Sequence, residues 1–288
     1  NVSAIRQNGV YVILGGSGTV GKIITEKLIQ KYNAQVIWIG KSARESDKVQ
    51  AALQAYKEFG DKVTYFQADV TSQPSLQHAV ELIKKQFGQL HGAVFAGMVF
   101  DFENSIDETT EEEFRSILEV KTHGSWIFFK AVEKESLDFV CYFSSGQASS
   151  FSGAAKPSAY ATAITFSDRL VQFFNKHSTF PVGIINWGFW KSSVNVIARE
   201  VEAVSTENLD ALEDSEGFDC FEKFVSELSV GRINQVLCMK VSGQMASLIN
   251  GKQNEYVTLA KEQLASPSIA IEIPRSKIDE LKRAHEQN

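Results

Sequence analysis

A short apolar strand that stops at a cluster of glycines constrains the fold of this chain more than any other feature. Residues 10–14 (VYVIL) are apolar, and from residue 20 to residue 32 the apolar positions recur at helical spacing. The residues that join the two segments are Gly15, Gly16, Ser17, Gly18, Thr19, Val20 and Gly21. A strand, a tight glycine turn and a helix in this order are typical of the first unit of a doubly wound α/β fold.

The same alternation of short apolar runs and amphipathic segments continues along the chain. It predicts further strands at residues 35–39, 63–68, 91–96, 139–143, 182–186 and 235–239. Helices are predicted between them, including one over residues 111–134 that is interrupted near Lys121 and one over residues 158–175. We therefore predict a Rossmann-like, doubly wound parallel sheet of about seven strands with helices on both faces.

The charge of the chain is unevenly distributed. The formal net charge is −6, but residues 200–227 hold ten carboxylates and a single lysine. We interpret this acidic segment as a helical lid, and the lack of a basic stripe argues against nucleic-acid binding. The three cysteines are far apart, so neither a disulfide framework nor a paired-cysteine metal site is predicted. No apolar run reaches the roughly 18 residues that span a bilayer, and we expect a cytoplasmic protein.

The glycine turn has the spacing of a dinucleotide-binding loop. Gly16, Gly18 and Gly21 satisfy the pattern GxGxxG directly after a predicted strand and at the start of a predicted helix. Glycine lets the backbone turn tightly and approach a pyrophosphate, which the helix N-terminus attracts. The alternative is a purely structural connection between strand and helix.

The ends of the second and third strands add candidate cofactor contacts. Lys41 and Ser42 stand where an NAD-binding site usually presents an acidic residue to the ribose, and a cation with a hydroxyl suits the 2′-phosphate of NADPH. The alternative for Lys41 is a solvated loop lysine. Asp69 and Val70 are predicted to contact the adenine, although Asp69 is equally suited to cap the helix that follows Thr71.

A serine and tyrosine pair follows the fifth predicted strand. Ser144 and Ser145 come directly after that strand, and Tyr160 lies fifteen residues beyond Ser145, near the start of the next helix. Above a nicotinamide, a serine can polarise a carbonyl oxygen and a tyrosine can donate the proton, if a nearby cation lowers the tyrosine pKa. In isolation, such a pair is more often structural.

Taken together, these segments resemble the ketoreductase domains of modular polyketide synthases of the trans-acyltransferase type, a branch of the short-chain dehydrogenase/reductase superfamily. The segments that carry the resemblance are residues 15–21 (GGSGTVG), 120–124 (VKTHG), 143–145 (FSS), Tyr160 and residues 186–190 (NWGFW). The resemblance covers about residues 9–242. It implies an NADPH-binding ketoreductase domain over residues 1–245, followed by a C-terminal linker or accessory helix over residues 246–288.

The resemblance implies a role for each catalytic residue. Tyr160 and Ser145 correspond to the tyrosine and the serine of the family. Lys121 corresponds to a lysine that this family carries on the helix before the fifth strand. In other short-chain dehydrogenases this lysine follows the tyrosine by four residues, a position held here by Ile164.

The resemblance also implies contacts with cofactor and substrate. Ala96 and Gly97 are expected to lie against the cofactor. Asp101 falls where ketoreductases of the B stereotype carry an aspartate, and Ser152 replaces the tryptophan of the opposite stereotype, so B-type reduction is expected. Trp190 is expected to contact the substrate, with core packing as the alternative.

The sequence departs from the family pattern in three respects. The interval from Ser145 to Tyr160 is about two residues longer than usual, which makes Ser149 a rival for the hydroxyl role. Ile164 replaces an asparagine that many members use beside the tyrosine. The structural half that precedes the reductase half in the family does not occur in this sequence, which begins with Asn1, and we expect a segment of a larger synthase.

The predicted function is the NADPH-dependent reduction of a keto group on an acyl thioester borne by a carrier protein. The expected partners are an acyl carrier protein with a phosphopantetheine-tethered substrate and other polyketide synthase domains, without nucleic acid. Two alternatives stay open: a stand-alone short-chain reductase of a free small ketone, and a catalytically degenerate scaffold with a reductase fold. The residues do not distinguish an α-keto from a β-keto substrate.

Overall fold

The computed structural model of the chain describes residues 3–99, 108–149, 158–194 and 209–241. The strands in these residues are β1 (Val10–Leu14), β2 (Gln35–Gly40), β3 (Val63–Gln67), β4 (Gly92–Phe95), β5 (Phe139–Ser145), β6 (Val182–Trp187), β7 (Leu209–Asp210), β8 (Gln235–Cys238) and β9 (Lys240–Val241). The α-helices are α1 (Thr19–Tyr32), α2 (Asp47–Gln54), α3 (Gln73–Phe87), α4 (Glu111–Lys121), α5 (His123–Val132), α6 (Ser158–His177), α7 (Lys191–Val194) and α8 (Asp214–Ser229). Short 3₁₀ helices cover Lys57–Lys62 and Gly146–Ser149.

The main sheet has seven parallel strands in the order β3-β2-β1-β4-β5-β6-β8. From β1 the chain moves outward to β2 and β3, then returns to β4 beside β1 and continues outward on the other side. In doubly wound folds, ligands bind at the carboxyl ends of the strands where this order reverses. The predicted fold class is confirmed, and every predicted strand of the sheet lies within two residues of its observed bounds.

Successive residues of each central strand pack into two different cores, one on each face of the sheet. On β1, Tyr11 and Ile13 pack in the core shared with α1, α2 and α8, whereas Val12 and Leu14 pack in the core shared with α3, α5 and α6. All four side chains are at most 4% exposed. Because both faces of the sheet are covered, its strands are continuous apolar runs rather than alternating ones.

The helix predicted over residues 111–134 is broken near Lys121, as expected. Thr122 ends α4 with φ −90° and ψ −77°, and its amide donates to the Leu118 carbonyl at 2.9 Å. At the other end of α4, Thr110 and Glu113 form a reciprocal capping box. These two ends fix the length of α4 and place Lys121 in its last turn, with the side chain buried.

The predicted lid is described only in part. α8 covers much of the acidic segment, and residues 195–208 lie outside the described residues, as does the predicted C-terminal element at residues 246–288. Within the described part of the chain, no helix combines the length and the apolar character needed to cross a membrane.

Two neighbouring phenylalanines of α6 test this packing. Phe174 is fully buried with its ring stacked 4.1 Å from that of Phe129, whereas Phe173 is 47% exposed. We expect Phe174→Ala to lower the free energy of unfolding by about 3–5 kcal/mol, because it leaves a cavity. Phe173→Ala should lower it by less than about 1 kcal/mol. Denaturant titrations measure both values, and equal losses would contradict the assignment of the two faces of α6.

Candidate active site

The glycine turn follows β1 and packs against the carboxyl end of β4. Gly15 has φ +82°, and its amide donates to the Ile39 carbonyl at 2.8 Å. A Cβ at Gly15 would lie 2.9 Å from the Gly97 amide nitrogen. Both the positive φ and the close approach require glycine here, and they bring the predicted cofactor residue Gly97 against the turn.

The N-terminus of α1 is open to an anion. The helix begins after Gly18, no side chain caps it, and its first turn carries no acidic residue. A Cβ at Gly18 would meet one atom within 4 Å, the Gly15 carbonyl oxygen at 3.2 Å, whereas a Cβ at Gly16 would lie 2.1 Å from the Trp38 ring. The turn is therefore packed on its inner side and free on its outer side. The positive end of α1, whose first amides have no acceptor within the helix, fits a pyrophosphate group.

Lys41 and Asp69 lie together at the ends of β2 and β3. Lys41 Nζ is 3.1 Å from Asp69 Oδ2, and the Lys41 side chain is 81% exposed. Burial raises the pKa of Asp69, but hydrogen bonds from the Thr71 amide and hydroxyl and the charge of Lys41 outweigh it, so the pKa lies below its usual value. Ser72 occupies the N-cap position of α3 without a capping hydrogen bond from its side chain, and the Asp69 side chain binds Thr71.

The other predicted cofactor residues lie along the same edge of the sheet. The Ser42 carbonyl accepts a hydrogen bond from the Tyr65 hydroxyl at 2.7 Å. Val70 packs against the start of α5, where a Cβ at Gly124 would lie 3.2 Å from its Cγ1. The Ala96 amide donates to the end of β1 at 2.9 Å. Their contacts with a cofactor stay predictions.

Lys121 is a buried cation. The residue is 1% exposed, and Nζ donates to the Phe143 carbonyl at 2.6 Å. Nζ also lies 4.9 Å from the centre of the Phe95 ring. Burial lowers the pKa of Lys121 to about 7, against an opposing contribution from the charge of Asp168. The contact fixes the ammonium two residues before Ser145 on β5.

The two serines at the end of β5 differ in burial. Ser144 is 2% exposed, and its hydroxyl accepts a hydrogen bond from Asn186 Nδ2 at 3.2 Å. Ser145 is half-buried and, as the next residue of the strand, faces the other side of the sheet. Ser145 is therefore more accessible than Ser144, and its contact with a ligand stays a prediction. The side chain of its rival Ser149 lies outside the described part of the structure.

Tyr160 lies in the first turn of α6 and is 2% exposed. It belongs to a small apolar cluster with Ile117 of α4 and with Ala159 and Ile164 of α6. The helix that carries Lys121 therefore packs on the helix that carries Tyr160, while the Lys121 ammonium reaches the strand that carries Ser145. The structure brings together the three elements that bear the predicted catalytic residues.

A buried polar network that the sequence did not predict lies next to these residues. Asp168 of α6 is 7% exposed, and its Oδ2 accepts hydrogen bonds from Asn186 Nδ2 at 2.7 Å and Gln235 Nε2 at 3.3 Å. Asn186 Nδ2 also contacts the Ser145 carbonyl at 3.2 Å. One signal was available: Asp168 lies eight residues after Tyr160, so it is a carboxylate on the buried face of a helix.

The predicted substrate residues lie in different parts of the chain. Trp190 is 2% exposed, and its ring is 4.8 Å from that of Trp187. A Cβ at Gly217 would lie 2.2 Å from the Trp190 ring, so α8 packs directly on this side chain. Core packing accounts for Trp190, and its contact with a substrate stays a prediction. Asp101 lies outside the described residues.

Comparison with known proteins identifies the family. The sequence model of the KR domain matches residues 9–192, more than half of the chain. Polyketide synthase PksM of Bacillus subtilis (strain 168) is 32% identical over 260 residues, which cover 90% of this chain and 6% of PksM. Polyketide synthase ThaG of Burkholderia thailandensis is 34% identical over 189 residues, 65% of this chain and 3% of ThaG. The chain thus spans a small fraction of these relatives.

Solved structures give the same answer for the fold. An N-terminal ketoreductase from a macrolactin assembly line is 25% identical, with a TM-score of 0.68 over 84% of this chain and 47% of that chain. A ketoreductase domain from the bacillaene assembly line has a TM-score of 0.71 at 24% identity, over 83% of this chain and 58% of that chain. With its Rossmann-like short-chain dehydrogenase/reductase fold, the chain belongs to the KR domain family of polyketide synthases.

Proposed function

We propose that the chain is an NADPH-dependent ketoreductase that reduces a keto group on an acyl thioester held by an acyl carrier protein. One observation carries the proposal: the buried Lys121 ammonium contacts β5 two residues before Ser145, and its helix packs on the helix that bears Tyr160. The family of the chain supports the same chemistry. Other domains of a polyketide synthase would supply the carrier protein and the phosphopantetheine-tethered substrate.

Each catalytic residue has one task in this proposal. A nicotinamide cofactor bound at this site would supply the hydride for the carbonyl carbon. Ser145 donates a hydrogen bond to the carbonyl oxygen and holds it as negative charge develops. Tyr160 donates a proton to that oxygen. The Lys121 ammonium stabilises the tyrosinate that this transfer leaves, and it acts strongly because it is buried in a region of low dielectric.

The proposed cofactor site follows the edge of the sheet. The N-terminus of α1 holds the pyrophosphate, and the open side of Gly18 leaves room for it. Lys41 and Ser42 bind the 2′-phosphate, with Lys41 exchanging its exposed contact with Asp69 for a phosphate oxygen. Asp69 and Val70, which follow β3, contact the adenine. Exposed ion pairs contribute little free energy, so this exchange costs little.

We further propose B-type stereochemistry. Its support is the sequence alone, Asp101 at the position of the stereotype aspartate and Ser152 at the position of the opposite tryptophan. The configuration of the hydroxyl in the product of the assay below decides between the two stereotypes. The opposite configuration would contradict this part of the proposal.

The substitution Tyr160→Phe tests the reaction. We expect it to abolish NADPH oxidation in the presence of β-ketoacyl thioesters, because it removes the proton donor, and to leave NADPH affinity unchanged in a fluorescence titration. The matched control is Tyr32→Phe, at the far end of α1, which should keep wild-type turnover. Retained turnover by Tyr160→Phe would overturn the assignment. Failure of the wild type to bind NADPH would favour a scaffold, and faster turnover of free ketones than of carrier-bound thioesters would favour a stand-alone reductase.

The substitution Lys41→Ala tests the cofactor preference. We expect it to weaken NADPH binding about 10- to 100-fold, because a charge-assisted hydrogen bond to the 2′-phosphate is lost, with little change in NADH binding. Lys85→Ala, at an exposed position of α3, is the control and should change neither affinity. Equal loss of NADPH and NADH affinity in Lys41→Ala would contradict a 2′-phosphate site.

A further inference from the structure

One face of α6 carries both the proposed proton donor and a buried carboxylate. Tyr160, Ile164 and Asp168 are spaced by four residues, so they lie along the same side of the helix. All three are buried, Ile164 completely. Ile164 is apolar, so the first ionisable side chain after Tyr160 on this face is that of Asp168.

The Asp168 carboxylate is fixed at one oxygen. Oδ2 accepts from Asn186 Nδ2 at 2.7 Å and from Gln235 Nε2 at 3.3 Å, and Gln235 Nε2 also donates to Asn186 Oδ1 at 2.9 Å. The other oxygen, Oδ1, is buried and has no hydrogen-bond partner among the described residues. A buried carboxylate that is only half-satisfied is costly unless a positive charge compensates it.

The Lys121 ammonium and this carboxylate are anchored at consecutive residues of β5. Lys121 Nζ donates to the Phe143 carbonyl, and the Ser144 hydroxyl accepts from Asn186 Nδ2, which also donates to Asp168 Oδ2. Within the described residues the ammonium makes this one hydrogen bond and has no direct ion pair with Asp168. The two charges nevertheless act on each other: burial raises the pKa of Asp168 and lowers that of Lys121, and the charge of each group opposes part of the shift of the other. Each group favours the charged form of the other across a region that excludes solvent.

The surroundings of the pair contain few other charges. The groups that face Lys121 are the Phe143 carbonyl of β5, the Phe95 ring of β4 and Asp168 of α6, the helix that also bears the titratable Tyr160. Those that face Asp168 are Ser144 of β5, Asn186 of β6, Gln235 of β8, Lys121 of α4 and the neighbouring Arg169 of α6. Lys121 and Arg169 are the charged members of the second group.

We propose that Asp168 is a positioning residue: its buried carboxylate, held by Asn186 and Gln235, is the counter-charge of the Lys121 ammonium on α4, the helix that packs on the helix of Tyr160. The role in catalysis rests on the proposed function, whereas the effect on the charge of Lys121 does not. The network also ties the carboxylate to the strand end that carries the catalytic serine, because Asn186 Nδ2 contacts the Ser145 carbonyl.

The titration of Lys121 tests the electrostatic part directly. With ¹³C-labelled lysine, the Cε resonance missing from the spectrum of Lys121→Met identifies Lys121, and its shift against pH gives the titration midpoint without any turnover. We expect Asp168→Asn to lower this midpoint by about 1 pH unit, because an opposite charge is lost. The matched control Glu119→Gln removes an exposed carboxylate from the helix that carries Lys121 and should leave the midpoint unchanged. An unchanged midpoint in Asp168→Asn overturns the proposal.

A double variant keeps the proposal testable if Asp168→Asn does not fold. Lys121→Met/Asp168→Asn removes both buried charges and should unfold at a higher denaturant concentration than Lys121→Met alone, which leaves the carboxylate uncompensated. A double variant that unfolds at a lower concentration than Lys121→Met would show that Asp168 acts independently of Lys121, and would overturn the proposal.

The pH dependence of turnover tests the catalytic part. The cationic form of Lys121 exists below its pKa, so its support of Tyr160 is lost as pH rises through that value. In Asp168→Asn the basic limb of kcat should therefore move to lower pH by the same amount as the Lys121 midpoint, with the KM for NADPH unchanged. A shifted midpoint with an unshifted limb overturns the positioning role. An active Tyr160→Phe instead overturns the proposed function and leaves the Lys121 midpoint as a separate result.

Discussion

The hydrogen bond from the Lys121 ammonium to the Phe143 carbonyl is the contact on which the rest of the site depends. A fully buried ammonium is costly in a protein interior, and burial lowers its pKa to about 7. The backbone carbonyl at 2.6 Å and the Phe95 ring offset part of this cost. Retaining buried charges at such positions is better explained by chemistry than by stability, because uncharged side chains of similar size at both Lys121 and Asp168 would pack without the cost.

The two ends of α4 and its packing determine where the Lys121 ammonium lies. α4 is capped at Thr110 and broken at Thr122, so Lys121 occupies its last turn, and α4 packs on the helix that begins near Tyr160. Where the strand order reverses, the turn at Gly15 and the uncapped N-terminus of α1 form the proposed anion site. The two halves of the site meet because β1, β4 and β5 are neighbours in the sheet.

Much of this arrangement was predictable from local pattern. The period of the apolar residues located the strands of the main sheet, and the break near Lys121 was visible as an interruption of one helix. The network of Asp168, Asn186 and Gln235 was not. Asp168 and Asn186 are 18 residues apart along the chain, and Asn186 and Gln235 are 49 apart. They meet because α6 packs on the sheet and β6 pairs with β8. The contact between Lys41 and Asp69 likewise depends on neighbouring strand ends, which no single segment reveals.

In the proposed reaction Lys121 of α4 takes the place of the lysine that other short-chain dehydrogenases carry four residues after the tyrosine. This role is tested by kcat of Lys121→Met with saturating NADPH and a β-ketoacyl thioester, beside the exposed control Lys85→Met. We expect a loss of about 100-fold or more with unchanged NADPH affinity in the first variant and wild-type kcat in the control. Wild-type kcat in a folded Lys121→Met that binds NADPH would contradict it.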